Sequence, residues 1–86
     1  MRFMANELAL KASKAWYESG KVCLLLEDGV EIRFSIKLNA KLANASEEDL
    51  SKIELICKGT GIHWPLLDED LSVIGVLEGR FGGLKN

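Results

Sequence analysis

With 86 residues, 48% of them hydrophobic and 28% charged, the chain has room for one domain with a modest core, and this composition excludes a disordered or low-complexity chain. The 13 acidic and 11 basic residues give a formal charge of -2, and lysines and arginines are spread from Arg2 to Lys85 rather than gathered into a stripe. Phosphate binding needs clustered positive charge, so direct nucleic-acid binding is not expected. The first residues lack the apolar run and cleavage site of a signal peptide, and no apolar stretch approaches the roughly 20 residues of a membrane-spanning helix. The expected location is therefore the cytoplasm, without membrane contact. Cys23 and Cys57 stand alone inside apolar runs and match neither a paired metal-ligand spacing nor a disulfide framework. Both read as small buried hydrophobes, and no cofactor is expected.

From Leu8 to Tyr17, alternation puts Leu8, Leu10, Ala12 and Trp16 on one face and Lys11 and Ser13 on the other, which predicts a strand that Lys14 interrupts. Glu18-Ser19-Gly20-Lys21 reads as a turn because Gly20 tolerates positive φ. Second and third strands follow over Val22–Leu26 and Val30–Ile36. Side-chain parity decides the loop between them, since directly opposed residues share a face of the sheet. A two-residue loop would pair Leu26 with Glu31 and Leu24 with Arg33. A three-residue loop, Glu27-Asp28-Gly29, pairs Leu26 with Val30, Leu24 with Ile32 and Val22 with Phe34, which predicts Gly29 in the left-handed region.

Leu38–Ala45 is less regular, with Leu38 and Leu42 one helical turn apart, and has room for a short helix without requiring one. A helix begins at Ser46, whose hydroxyl can accept from the first turn while Glu47, Glu48 and Asp49 oppose the positive end of the helix. Ile53–Cys57 reads as a fourth strand, ended by Gly59-Thr60-Gly61. Ile62-His63-Trp64-Pro65 is extended, because proline lacks an amide hydrogen and drives its predecessor from helical angles. Asp68, Glu69 and Asp70 then precede an expected helix over Leu71–Leu77, capped by Asp68 or Asp70, with Leu71, Ile74 and Leu77 buried and Gly79 as its stop. The whole predicts an α+β class: one domain over residues 1–86, a small antiparallel sheet of three to four strands with two short helices, and frayed tails at 1–7 and 80–86.

His63 with Asp68, Glu69 and Asp70 is the dense set of ionisable groups. Consecutive acids point in different directions and need a scaffold to converge, so the first reading is a histidine that hydrogen-bonds one acid and fixes the loop, with no catalytic residue and no metal. Trp64 reads first as a core residue. Gly59-Thr60-Gly61 lacks the third glycine and following helix of a dinucleotide loop.

Gly59, Gly61, Ile62, His63, Trp64, Pro65, Leu67, Asp68, Glu69, Asp70, Leu71 and Ser72 resemble the G-x-G-I-H-W-P-x-L-D-E-D-L-S signature of a small prokaryotic family catalogued as domain of unknown function 2442. The likeness extends back through Asp28-Gly29 and Leu42, Asn44 and Ala45. It departs at Leu38-Asn39-Ala40-Lys41, where the resembled pattern carries an aromatic residue and a proline. The resemblance implies a small α+β fold and no established activity. It also implies an association with small toxin-like proteins on mobile or defence-rich DNA, as an antitoxin would have.

The functional expectation is a non-catalytic protein-binding module, antitoxin-like or regulatory, with His63, Trp64, Pro65, Asp68, Glu69 and Asp70 as contact surface. An acidic chain suits a basic, toxin-like partner. The alternative is a metal- or small-molecule-binding protein, or an enzyme, centred on His63, Asp68 and Asp70. A third reading makes the motif structural and places a homodimer on an exposed strand edge.

Overall fold

The computed structural model describes residues 10–82. Six strands form two three-stranded antiparallel sheets: β1 (Ala12–Glu18), β2 (Lys21–Leu26) and β3 (Glu31–Ser35) in the order β1-β2-β3, then β4 (Glu54–Ile56), β5 (Gly61–Trp64) and β6 (Glu69–Ser72) in the order β4-β5-β6. Helices α1 (Ala40–Ala43) and α2 (Glu47–Leu50) bridge the sheets, and α3 (Val73–Leu77) follows the last strand. The α+β class is as expected, but the strands divide into two sheets where a single one of three to four strands was predicted. None of the helices among the described residues is long and apolar enough to cross a membrane.

The sequence-derived register of the first sheet holds at the hairpin: Val22 opposes Phe34 and Leu24 opposes Ile32. The amide of Leu26 donates to the carbonyl of Val30 at 2.8 Å, Oδ1 of Asp28 accepts from the Val30 amide at 3.0 Å, and Gly29 sits at φ 95°. Ser19 and Gly20 both take positive φ, 50° and 83°, as a two-residue reversal between right-twisted strands requires. In β1 the predicted alternation fails. A bulge lies between Ala12, which opposes Leu26, and Lys14, which opposes Leu25. One inserted residue reverses the parity of everything beyond it. Ala15 and Tyr17 therefore join Ala12 against the core, while Trp16 turns to the outer face opposite Cys23. Lys14 is no interruption on that outer face. The Leu8 end of the predicted strand lies outside the described residues.

Both sheets press their inner faces into one core: Val22, Leu24 and Phe34 from the first, Ile62, Trp64 and Leu71 from the second, closed by Leu42, Leu50, Val73 and Val76 from the helices. The helices are short, so their caps matter. Asn39 Oδ1 accepts from the Leu42 amide, Ser46 Oγ from Asp49, and Ser72 Oγ from Gly75. The helical start at Ser46 with its acidic first turn is as expected.

Three further expectations are corrected. Asp68, Glu69 and Asp70 do not open a helix. Glu69–Ser72 is a strand, because pairing with Gly61–Trp64 satisfies its backbone groups and buries Leu71, and the helix begins one residue after Ser72. Val73 and Val76 face the core, while Ile74 and Leu77 are 43% and 44% exposed. Cys57 is exposed rather than buried: Cys57, Lys58 and Gly59 take φ values of 53°, 59° and 93°, and this left-handed run swings the chain off the strand after Ile56. Phe81 departs from the frayed tail expected from residue 80. Its ring centroid lies 5.1 Å from that of Phe34, and its carbonyl accepts from Asn39 Nδ2 at 2.6 Å. The stop at Gly79 is as predicted, with Gly79 donating to Val76 and Arg80 to Gly75 in a Schellman pattern.

Candidate functional site

The extended Gly61–Trp64 segment and the strand Glu69–Ser72 form a hairpin that carries the whole motif. Opposed pairs are Ile62 with Leu71, His63 with Asp70, and Trp64 with Glu69. Since neighbours along a strand point to opposite faces, the hairpin sorts the four candidates on its strands into two groups and leaves Pro65 and Asp68 in the turn between them.

The outward group is built on His63. Its Nδ1–H donates to Oδ1 of Asp70, and on its other side β4 places Glu54 directly opposite. The His63 pKa is raised above 6.5, chiefly by the hydrogen bond to Asp70, against an opposing effect of partial desolvation; the charges of Asp70 and Glu54 add to the rise. This histidine is therefore a group that binds a proton more tightly in the folded chain. His63 has one carboxylate on its ring nitrogen. Asp68 stands in the turn at φ 52°, with its main-chain oxygen accepting from Lys41 Nζ at 2.9 Å. No group of three metal-ligating side chains converges among the described residues.

Trp64 and Glu69 point inward. Trp64 is fully buried, and no acceptor lies on its Nε1 among the described residues, so the indole acts through shape and apolar area. Glu69 is only 14% exposed; its Oε2 accepts from Asn39 Nδ2 at 2.6 Å and its Oε1 lies 4.0 Å from Lys41 Nζ. Asn39 is itself fully buried. Its amide oxygen caps α1 while its amide nitrogen ties Glu69 to the Phe81 carbonyl. Neither Trp64 nor Glu69 offers a contact surface, which corrects their place in the expected set. The motif pattern Trp64…Glu69 is the inward half of a hairpin.

Between the groups, the turn after Trp64 is held from several sides. The Leu67 amide donates to the Trp64 carbonyl at 3.1 Å, and the Leu67 side chain packs on the core. Pro65, Leu66 and Asp68 are exposed, Leu66 by 58%. Asn39, Lys41 and Leu66 were not singled out from sequence. The signal for the first two lay in the departure at Leu38-Asn39-Ala40-Lys41: that segment touches Glu69 and the Asp68 carbonyl. Leu66 has no such signal, because nothing in Pro65-Leu66-Leu67 tells which leucine turns in.

Residues 12–82 match the model of a family described as protein of unknown function, DUF2442. The fold is also that of a protein of unknown function from Rhodospirillum rubrum, known from a crystal structure: 38% identical, TM-score 0.80, with 87% of this chain and 93% of that one covered. An uncharacterised protein of Chromobacterium violaceum, known from a solution NMR structure, is 31% identical at TM-score 0.79, with 95% of this chain and 77% of that one covered. No curated protein matches the chain. On the strength of that match across the two sheets and the connecting helices, this chain belongs to the DUF2442 family of proteins of unknown function.

Proposed function

We propose that the protein is a non-catalytic protein-binding module whose contact surface is the outer side of the β5–β6 hairpin and its turn. The observation that carries this reading is Leu66: a leucine 58% exposed on a turn whose neighbours Trp64 and Leu67 are anchored in the core. A side chain held out by a fixed backbone loses little entropy when a partner covers it, which is what makes preorganised anchors effective. Pro65 adds stiffness to the turn. Asp68 and Asp70, both exposed carboxylates, and the half-buried His63 flank the apolar tip along the hairpin.

A partner that fits has an apolar pocket rimmed by lysine or arginine. The antitoxin-like form of the proposal, with a basic toxin-like protein as partner, follows from that charge and from the association that the family resemblance implies. The reading centred on metal or small-molecule binding at His63, Asp68 and Asp70 has less support, since no group of three metal-ligating side chains converges among the described residues.

The test is a tagged pull-down from the native host with the wild type, Leu66→Asp and an Asp68→Lys, Asp70→Lys variant, followed by calorimetric titration with the purified partner. The expected result is one protein that binds the wild type and is lost with either variant, with weaker binding as salt rises. Binding that survives both variants, or no protein retained by the wild type, overturns the reading.

A further inference from the structure

The outer face of the first sheet has no helix or strand of the described residues laid across it, and its side chains form ordered cross-strand rows. Lys14, Leu25 and Glu31 make one row; Trp16, Cys23 and Arg33 make the next. The accessible apolar groups are thus Leu25 in the middle and Trp16 at one edge, with Cys23 fully buried between its neighbours and charges around them. The Lys14 ammonium lies 5.9 Å from the centre of the Trp16 ring, and Trp16 Nε1 donates to Glu18 Oε1 at 3.1 Å, so the indole is held in place. Trp16 is half-buried, as is Leu25.

We infer that this face binds a second copy of the chain, sheet against sheet, about a two-fold axis that runs along β2. The rows decide the geometry. A rotation about that axis exchanges β1 with β3, so that Lys14 faces Glu31 of the other copy, Trp16 faces its Arg33, and Leu25 meets its own counterpart, while Cys23 is fully buried beneath the contact. Each contact is complementary: opposite charges, a guanidinium on an indole face, and apolar on apolar. The other in-plane axis, across the strands, would set Arg33 against Arg33 and Leu25 against Lys21 if it passed through the Trp16 row; passing between the rows it would set Lys14 on Trp16 and Glu31 on Arg33, an arrangement in which reversing both Lys14 and Glu31 would not restore the dimer. Self-complementarity of this kind is what an isologous interface requires, because every residue meets the site of its pair twice.

The footprint is small. Three strands spaced about 4.8 Å apart, each about five residues long, offer on the order of 300 Å² of projected face. That is well below the roughly 800 Å² per partner of a standard stable interface, so the dimer is transient and weakens with salt. A nucleic-acid strand stacked on Trp16 is the competing occupant. Glu18 and Glu31 stand among Lys14, Lys21 and Arg33 and would repel its phosphates.

Charge reversal tests the axis directly. Lys14 and Glu31 lie two strands apart, about 10 Å, and do not pair within one copy. The measurement is sedimentation equilibrium of the full chain at low salt, up to about 1 mM protein. The wild type should rise in apparent mass above 9.5 kDa, Lys14→Glu and Glu31→Lys should each remain monomeric, and the double reversal should dimerise again. Trp16→Ala, with its fold checked by circular dichroism, should also be monomeric and covers the case in which a reversal disturbs folding. A wild type that stays monomeric throughout overturns the inference, as does a double reversal that fails to regain mass. So does a monomeric wild type whose Trp16 fluorescence is quenched by a single-stranded oligonucleotide.

Discussion

In β1 to β3 the chain reverses at Ser19-Gly20 and at Glu27-Asp28-Gly29, where backbone preference and side-chain parity are written locally. In β4 to β6 it reverses at Cys57-Lys58-Gly59 and at Pro65 to Asp68, where three of the left-handed residues are Cys57, Lys58 and Asp68 rather than glycine. The first sheet is held mainly by hairpins between neighbours in sequence. The second is held from outside: Asn39 and Lys41 reach across from the α1 segment to Glu69 and the Asp68 carbonyl, and Thr60 accepts from the Val73 amide at 2.9 Å. A hairpin whose turn lacks strong local signals is read correctly only once its long-range anchors are known.

The sharpest way to break the second sheet is Trp64→Ala. The side chain is fully buried at the junction of both sheets, and truncating a buried tryptophan costs about 3–5 kcal/mol. In a domain of this size that approaches the whole folding free energy, so the variant should be largely unfolded by circular dichroism at 25 °C. A cooperative melt close to the wild type would remove Trp64 from the centre of the core.

Two glycines with nearly the same φ set the two regions side by side. Gly29 at 95° has open space where a Cβ would go, whereas a Cβ on Gly59 at 93° would lie 2.7 Å from the Ala12 carbonyl oxygen. Gly59→Ala should therefore cost about 3 kcal/mol in urea titration, from strain plus overpacking, and Gly29→Ala about 1 kcal/mol from strain alone. Equal losses would mean that the approach of the Cys57–Gly59 turn to β1 carries no weight. Asn39→Ala falls between them, at about 2 kcal/mol, since it removes the α1 cap and leaves Glu69 without its closest donor.

The smallest effect is that of pH on the His63–Asp70 pair. The folded pKa lies above the 6.5 of the unfolded chain, so the pair adds stability that is fully present below that value and is lost as pH rises through the folded pKa. Stability of the wild type relative to His63→Gln should decline across that window and be flat above it. Nuclear magnetic resonance titration of the single histidine gives the folded pKa, and Asp70→Asn should lower it. A His63 pKa unmoved by Asp70→Asn would show that the hydrogen bond is not formed in solution.

The local signals read from sequence are specific: the three-residue loop at Gly29, the helix start at Ser46, the extension through Ile62-His63-Trp64 and the stop at Gly79 all follow from backbone preference, capping chemistry or parity within a few residues. The α+β class follows from their sum. The parity of β1 past Ser13 was not legible, because a bulge is selected by which face the partner strand buries. Nor was the strand at Glu69–Ser72, since Ser72 and the acids before it cap helices equally well in isolation. Only the pairing with β5 and the burial of Leu71 chose the strand, by satisfying backbone groups that no neighbour in sequence could reach. The same long-range contacts sent Glu69 inward to Asn39 and left Leu66 outside. Local sequence thus determined where the chain turns and how its helices are capped, while tertiary packing decided which face of each strand is buried, because burial depends on neighbours brought together only by the fold.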